Sequence, residues 1–160
     1  MTTIIQALAA LRLNLALSLV LGLGFSSAST LLSAEPVDEG TDPPLAELGS
    51  LRWQHRIILV DVQIPDAVAR LRAEQPEIDE RDILWFVRDQ GLLRTNYPGA
   101  IEARLKQELE QRFFSRSDAV VFLIGKDGGL KASAGELDLP ALFERIDAMP
   151  MRRREMESRE

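Results

Sequence analysis

The chain has 160 residues, of which 46% are hydrophobic and 28% are charged, and this composition is typical of a globular protein with one domain. Its formal net charge of −6 argues against a nucleic-acid partner, because phosphate binding requires a clustered basic surface. The sequence contains no cysteine, which excludes dithiol redox chemistry, thiol peroxidase activity, a lipoprotein anchor and thiolate metal sites.

The N-terminal region has the plan of a secretory signal peptide. An uncharged apolar run from Leu13 to Phe25 is preceded by Arg12 and followed by small residues, which offer cleavage points after Ala28 or Ala34. The run is short for a membrane-spanning helix, and an uncleaved N-terminal anchor is the alternative. We therefore predict a signal peptide over residues 1–34, a periplasmic or secreted location, and no membrane association after cleavage.

Residues 35–50 are acidic and rich in proline and glycine, which predicts a linker with a short helical turn near its end. Hydrophobic periodicity then predicts four strands and three helices. In chain order they are a strand over 55–62, a helix from Pro65 to Pro76, a strand over 82–89, a helix over 100–114, strands over 119–125 and 130–137, and a helix that Asp138 caps. A loop containing Gly91, Asn96 and Pro98 is predicted between the second strand and the second helix.

This order, β-α-β-α-β-β-α, predicts an α/β domain over residues 51–151 with a mixed central sheet. Two βα units would give parallel strands with right-handed crossovers. The "KDGG" of Lys126 to Gly129 is typical of a two-residue hairpin turn, and this hairpin would add an antiparallel edge. Such an arrangement is thioredoxin-like. Residues 152–160 are predicted to form a tail that is only partly ordered.

Four segments of the sequence together resemble one bacterial family, the DUDES-type domain of unknown function. They are "RWQHRIILV" with Trp53 and Arg56, "ERDI" from Glu80 to Ile83, "LIGKDGGLK" from Leu123 to Lys131, and "FERIDAMPMRRREM" from Phe143 to Met156. Related domains occur in animal sushi-repeat and coiled-coil-domain extracellular matrix proteins. The resemblance implies a thioredoxin-like fold similar to peroxiredoxins, an exported location and no established activity, and it supplies no catalytic residue.

A thioredoxin-like enzyme places its reactive thiol where the first strand passes into the first helix, and Gln63 to Asp66 occupy that place here. The segment from Ser115 to Phe122 also lacks the proline that thioredoxins place in cis opposite the thiol. The redox site is therefore absent. A small anion could bind at this helix start, but the charge of Asp66 opposes it.

The only histidine, His55, could in principle act as a base with Asp61. A strand would hold the two side chains far apart, since strands rise ~3.3 Å per residue. We interpret His55 as a surface residue at the edge of a strand. The "GKDGG" stretch lacks the glycine spacing and the Lys-Ser/Thr ending of a phosphate-binding loop, so a hairpin turn explains it.

Trp53, Arg56 and Arg81 form one candidate cluster. Because Arg56 and Arg81 precede or open the first two strands, parallel pairing would make them neighbours at the end of the sheet opposite the usual active site. We predict a structural latch in which the arginines pair with acids and the indole covers them. A ligand site made of the same three residues is the alternative.

Three methionines lie close together near the C-terminus, at Met149, Met151 and Met156. Clustered thioethers suit Cu(I), but Arg152 to Arg154 lie between them and repel a cation. We favour an arrangement in which Pro150 stops the last helix, Met149 and Met151 pack on alternate sides of its exit, and the arginines meet carbonyls and acids. No cofactor and no metal are predicted.

The preferred function is an exported, cysteine-free binding or scaffold module. Its partner would be an unknown protein or small molecule of the cell envelope. The contact surface would comprise Met149, Met151, Arg152 and Arg153 with the neighbouring Trp53, Arg56 and Arg81. The alternative is a non-thiol oxidative-stress or detoxifying enzyme related to peroxiredoxins. Only the similarity of the predicted fold to peroxiredoxins supports this alternative.

Overall fold

A computed structural model of the protein describes residues 42–61, 63–116 and 119–159. The predicted signal peptide over 1–34 and the first part of the predicted linker lie outside these residues. The described residues form a mixed α/β structure in which helices flank one five-stranded sheet. None of the helices in these ranges has the length and the apolar character that crossing a bilayer requires.

Each predicted strand and helix has a counterpart, and β3, α2 and α5 are additional. The strands are β1 (Arg56–Val60), β2 (Ile83–Asp89), β3 (Leu92–Thr95), β4 (Val121–Ile124) and β5 (Leu130–Ala134). The helices are α1 (Ala67–Ala73), α2 (Gln75–Glu80), α3 (Ala103–Leu109), α4 (Leu139–Asp147) and α5 (Pro150–Glu157). A 3₁₀-helix (Leu48–Leu51) precedes β1, and a π-helix (Glu110–Phe114) continues α3.

The sheet has the strand order β3-β2-β1-β4-β5. β1 and β2 are parallel neighbours, as predicted, with Arg56 beside Ile83. β4 runs antiparallel to β1, so the second βα unit does not give a parallel strand. The reason is β3, which pairs antiparallel with β2 and turns the chain back before α3 begins.

The sequence placed a loop where β3 lies because the turn before β3 lacks the usual residues. Asp89 pairs with Leu92, and the two residues between them, Gln90 and Gly91, have φ values of 46° and 81°. Positive φ at both central positions is the geometry of a tight hairpin turn, for which Asn-Gly and Asp-Gly are the common signals. Glutamine is not such a signal.

The predicted hairpin between β4 and β5 is present, but its loop is longer than two residues. Ile124 pairs with Leu130, so Gly125 to Gly129 lie in the loop. Within it only Gly128 has a positive φ, of 80°. The Asp127 carboxylate instead accepts a hydrogen bond from the Gly129 amide (2.9 Å), which stabilises the wider turn.

β1 is buried along its whole length, because helices cover both faces of the sheet. Ile58 and Val60 face one apolar cluster, which α1, α2 and α4 close. Ile57 and Leu59 face a second cluster, which α3 and the 3₁₀-helix close. This explains the nearly continuous apolar run that predicted a strand buried on both faces.

The packed structure begins before the predicted boundary at residue 51. Leu45 and Leu48, from the predicted linker, are buried in the second apolar cluster. The Leu45 amide donates a hydrogen bond to the Ala100 carbonyl (2.8 Å), and the Leu45 carbonyl accepts one from the Glu102 amide (3.0 Å). The end of the acidic segment is therefore part of the domain.

Two prolines open helices that the sequence expected them to end. Pro76 lies in the first turn of α2, and Pro150 is the first residue of α5. Proline fits there because the first amides of a helix have no intrahelical acceptor. α4 does end before Pro150, at Asp147, but the segment predicted to be a partly ordered tail continues as α5.

We expect Gly99→Ala to destabilise the protein by about 1–3 kcal/mol, because an added methyl group would crowd the N-terminal segment. A Cβ atom at Gly99 would lie 2.5 Å from the Asp42 carbonyl oxygen and 2.9 Å from that of Pro43. Unfolding in urea, monitored by tryptophan fluorescence, measures the change in the free energy of unfolding. Gly135→Ala is the control, since a Cβ atom there meets nothing within 4 Å. Equal stability of the two variants would contradict this account of the N-terminal packing.

Candidate functional site

Three arginines are buried at the end of the sheet where the parallel strands begin. Arg56 is the first residue of β1, Arg81 lies just before β2, and Arg152 belongs to α5. They are 1%, 9% and 0% exposed, respectively. Buried guanidinium groups need carboxylate or carbonyl partners, because an uncompensated charge in the interior is costly.

Arg56 connects β1 to α5 and to the start of β2. Its Nη2 lies 3.0 Å from Oε2 of Glu155 in α5, and its Nη1 donates to the Arg81 carbonyl at 2.9 Å. Arg81 in turn donates to Glu77 (2.6 Å) and packs 4.8 Å from the centre of the Phe143 ring. Both arginines therefore pair with acids, as the sequence predicted.

Asp147, at the end of α4, joins the other two arginines. Arg81 donates to it from Nη2 (2.6 Å) and Arg152 from Nε (3.2 Å). Arg152 also binds the Glu80 carboxylate (2.6 Å) and the Glu80 carbonyl (3.0 Å). Burial alone would raise the pKa of Asp147, but the hydrogen bonds from Arg81 and Arg152 hold it below its usual value. We call the three arginines with Glu80, Asp147 and Glu155 the arginine network.

Trp53 does not cover this network, so that part of the predicted latch is wrong. Its side chain is 61% exposed. Its φ is 68°, and its amide donates to the Lys126 carbonyl at 2.7 Å, which holds the residue against the β4–β5 loop. The indole ring has the Arg52 guanidinium 5.7 Å from its centre instead of Arg56 or Arg81.

The C-terminal candidates divide into buried, exposed and pocket-lining residues. Arg152 is fully buried, so it cannot offer a contact surface, whereas Arg153 is exposed. Met149 and Met151 are half-buried and line the same cavity, so they do not pack on alternate sides of the helix exit. Met149 also packs against the first apolar cluster.

The cavity beside the methionines has a volume of ≈ 350 Å³. Met149, Pro150 and Met151 form its apolar wall, and Arg56, Lys126, Asp127 and Lys131 supply its charged groups. We call this cavity the α5 pocket, because α5 begins in its wall. Met149 occupies the capping position of α5 and makes no side-chain capping bond. The partial positive charge of a helix N-terminus therefore adds to the cationic side of the pocket.

Lys126, a cation of the α5 pocket, contacts two carboxylates. Its Nζ lies 2.8 Å from Asp82 and 2.9 Å from Oε1 of Glu155. Burial alone would raise the pKa of Glu155, but hydrogen bonds from Lys126 and Arg56 hold it below its usual value. Burial would likewise raise the pKa of Asp82, which the hydrogen bond from Lys126 lowers. These acids therefore stay ionised at neutral pH.

The second lysine is paired nearer the surface. Lys131 Nζ lies 2.6 Å from Asp127. This hydrogen bond, together with the one from the Gly129 amide, lowers the pKa of the Asp127 carboxyl. Both side chains are partly exposed, so the pair is one that solvent and ligands can reach, and such pairs contribute little to stability.

Arg56 and Lys126, two of the cations that line the α5 pocket, retain unused hydrogen-bond donors. Guanidinium carries five N–H groups, and the described residues accept from Nη1 and Nη2 of Arg56 but not from its Nε. An ammonium group carries three, and two carboxylates contact that of Lys126. The pocket can therefore accept a ligand that brings acceptor atoms.

The other predicted candidates lie elsewhere. His55 lines another cavity, of ≈ 610 Å³, which shares Gly125 and Asp127 with the lining of the α5 pocket. The whole of β1 separates His55 from Asp61. Asp61 is buried and accepts from Arg88 Nε at 2.7 Å. Within the residues described, no group of three or more histidine, aspartate or glutamate side chains is arranged to hold a metal ion.

Sequence reasoning missed Lys126, Lys131 and Glu155, although their segments were noted. It assigned Lys126 to a hairpin turn, Lys131 to the strand that follows, and Glu155 to a tail. The signal that could have found them is the set of four segments that carried the family resemblance, since residues from all four meet at this end of the sheet. Their convergence needs the sheet order, which places the β4–β5 loop beside the start of β1.

We expect Arg152→Ala to lower the free energy of unfolding by about 3 kcal/mol, because it removes a fully buried partner from two carboxylates. Arg153→Ala removes the same charge from an exposed neighbour, so we expect a change within about 0.5 kcal/mol. Urea unfolding of both variants measures the difference. Similar losses in the two would show that net charge, and not the buried network, stabilises α5.

We also expect α5 to lose protection before the sheet does as the solution is acidified. The pKa values of Asp147 and Glu155 are lower in the folded protein than in the unfolded chain, where carboxyls titrate near about 4. Their stabilisation is therefore complete above about pH 4 and disappears as the pH falls through the folded-state values. Hydrogen exchange of α5 and β1 amides from pH 7 to 3, corrected for intrinsic rates, measures this. Constant α5 protection over that range would contradict it.

Comparison with known proteins identifies the family but no function. Neither the curated proteins nor the solved structures contain a match to this chain. A family described as "Domain of unknown function (DUF4174)" matches residues 47–155, which run from just before the 3₁₀-helix into α5 and include Arg56, Arg81, Arg152 and Glu155. Since the match covers well over half of the chain, the protein belongs to the DUF4174 family.

Proposed function

We propose that this protein is an exported binding module of the DUDES type, built on a cysteine-free thioredoxin-like scaffold, and that the α5 pocket is its contact site. The observation that carries the proposal is the pocket itself. It combines two half-buried methionines with buried Arg56 and Lys126, whose donors the described residues do not fully use.

The strand arrangement supports the choice of scaffold. β2, β1, β4 and β5 are consecutive in the sheet, with one parallel pair and two antiparallel pairs. A mixed central sheet with helices on both faces supports a thioredoxin-like scaffold, although the second parallel pairing that the element order predicted is absent. β3 adds a fifth strand beside β2 without separating the other four. The apolar run from Leu13 to Phe25 supports export.

The chemistry of the site favours binding over catalysis. The connection from β1 to α1, where a thioredoxin-like enzyme has its thiol, borders a cavity that contains Ile64, Pro65 and Asp66. None of these side chains carries the thiol that such an enzyme uses. The cations of the α5 pocket are held by carboxylates at fixed distances, which suits recognition of a polar group more than proton transfer.

The methionines define the apolar half of the ligand. Methionine is flexible and polarisable, so Met149 and Met151 can adapt to apolar groups of different shapes. Three cations beside them disfavour a copper ion as the occupant, because positive charges repel each other. The ligand we expect therefore joins an apolar group to hydrogen-bond acceptors.

Methionine-methyl NMR tests this proposal, because the chain has only four methionines and two of them line the pocket. In protein labelled with ¹³C at the methionine methyls, we expect small amphipathic acids to shift the signals of Met149 and Met151 and to leave Met156 unchanged. Met151→Lys, which places a charge in the apolar wall, should reduce binding at least tenfold. Arg153→Lys, on the exposed side of α5, is the matched control. Ligands that shift all the methyls equally, or none, would contradict the proposal.

A further inference from the structure

We infer that the ligand of the α5 pocket carries a carboxylate, which takes the place of the Glu155 side chain on Lys126 and Arg56. Glu155 would then be an internal competitor that holds α5 closed when no ligand is bound. This inference rests on the proposed function, since it names the ligand class and the control of the same site.

Glu155 does not itself line the α5 pocket, but its contacts show which chemical group the pocket residues Arg56 and Lys126 can hold. One carboxylate oxygen lies 3.0 Å from Arg56 Nη2, and the other lies 2.9 Å from Lys126 Nζ. The two cations are therefore spaced to bind both oxygens of one carboxylate. Both are at least nine-tenths buried, whereas Glu155 is 22% exposed and its carboxylate can be displaced toward solvent.

The charges around the site favour a group with a single negative charge. Asp82 already binds Lys126, and Asp127 lies in the pocket wall with Lys131. A carboxylate that replaces Glu155 leaves the number of charges around the two buried cations unchanged. A doubly charged phosphate would bring a second negative charge close to Asp82 and Asp127, which repel it.

The position of the apolar wall defines the rest of the ligand. Arg56 and Lys126 border the same cavity as Met149, Pro150 and Met151, so a carboxylate held by the cations would have its tail against thioethers and a proline ring. The cavity volume of ≈ 350 Å³ is at the small end of ligand pockets, which fits a short alkyl or aryl chain.

α5 is suited to a competing contact because charge holds it more than apolar burial does. Arg152 is its only buried residue, and that residue binds Glu80 and Asp147. Release of Glu155 would remove one of two ionic attachments of α5 and leave the Arg152 attachment in place. Ligand binding therefore need not unfold the helix.

Octanoate is a suitable probe, because it combines one carboxylate with a flexible alkyl chain. We would titrate it into the purified wild-type protein and into Glu155→Gln, and follow the Met149 and Met151 methyl signals. Loss of the competing carboxylate should increase octanoate affinity about tenfold, the equivalent of one charge-assisted contact. Glu157→Gln, which removes an exposed acid from the same helix, should leave the affinity unchanged. Octanol, which lacks the charge, should bind at least tenfold more weakly than octanoate to every form.

The outcomes separate this inference from the proposed function. If octanoate and octanol bind the pocket equally, or if Glu155→Gln and wild type bind octanoate equally, the carboxylate inference is wrong and the pocket is still a binding site. If neither probe moves the Met149 and Met151 signals in any variant, the proposed function fails as well. Thermal unfolding of each variant establishes that it is folded. Should Glu155→Gln not fold, Glu155→Asp shortens the competitor by one methylene and should still raise octanoate affinity, and an unchanged affinity would overturn the inference.

Discussion

Three guanidinium groups are buried at one end of the sheet, and their need for partners determines how the surrounding elements are arranged. A buried ion without a partner costs several kcal/mol, so the elements around Arg56, Arg81 and Arg152 must bring carboxylates to the same place. In this protein, single carboxylates pair with two cations each. Asp147 serves Arg81 and Arg152, and Glu155 serves Arg56 and Lys126. Because each acid has two cationic partners, moving one element would leave more than one charge uncompensated.

Such a network specifies an arrangement more than it adds stability. Replacing buried ion pairs by apolar residues is often neutral, whereas breaking one is costly, so the network acts mainly by excluding alternatives. Here it fixes α5 against the starts of β1 and β2, although Arg152 is the only buried residue of the helix and none of its apolar side chains is buried. The position of the α5 pocket follows from this, since Pro150 and Met151 belong to the helix that the arginines hold.

Where a local pattern has one physical meaning, the sequence predicted the structure well. The short apolar runs of β1 and β2 favoured strands buried on both faces, and their parallel pairing made Arg56 and Arg81 neighbours. The predicted helix ends and turns were wrong where a residue is compatible with more than one local structure. Pro150 is compatible with the end of one helix and with the first turn of the next, and Gln90 gives no sign of the positive φ that creates β3.

The candidate site was harder to predict than the fold, because it is made of long-range contacts. Arg56 and Glu155 are 99 positions apart in the chain, and nothing local indicates that they meet. The direction of the Lys126 side chain depends on the five-residue loop between β4 and β5, for which the sequence suggested a shorter turn. Trp53 was misplaced for a related reason, since its positive φ turns it toward that loop and away from the arginines.

Both ends of the parallel strands have ion pairs beside a cavity, and they differ in how far the protein itself uses the arginine donors. At the end that leads into α1, buried Asp61 is bound by Arg88, and Arg88 also binds Glu110 at 2.7 Å and the Phe114 carbonyl. These contacts use most of the Arg88 donors on the protein itself. At the other end, some donors of Arg56 have no acceptor among the described residues, and Arg56 borders the cavity whose apolar wall includes Met149 and Met151. The unused donors of Arg56 and Lys126 therefore make the end where the parallel strands begin the better place for a ligand that brings acceptor atoms.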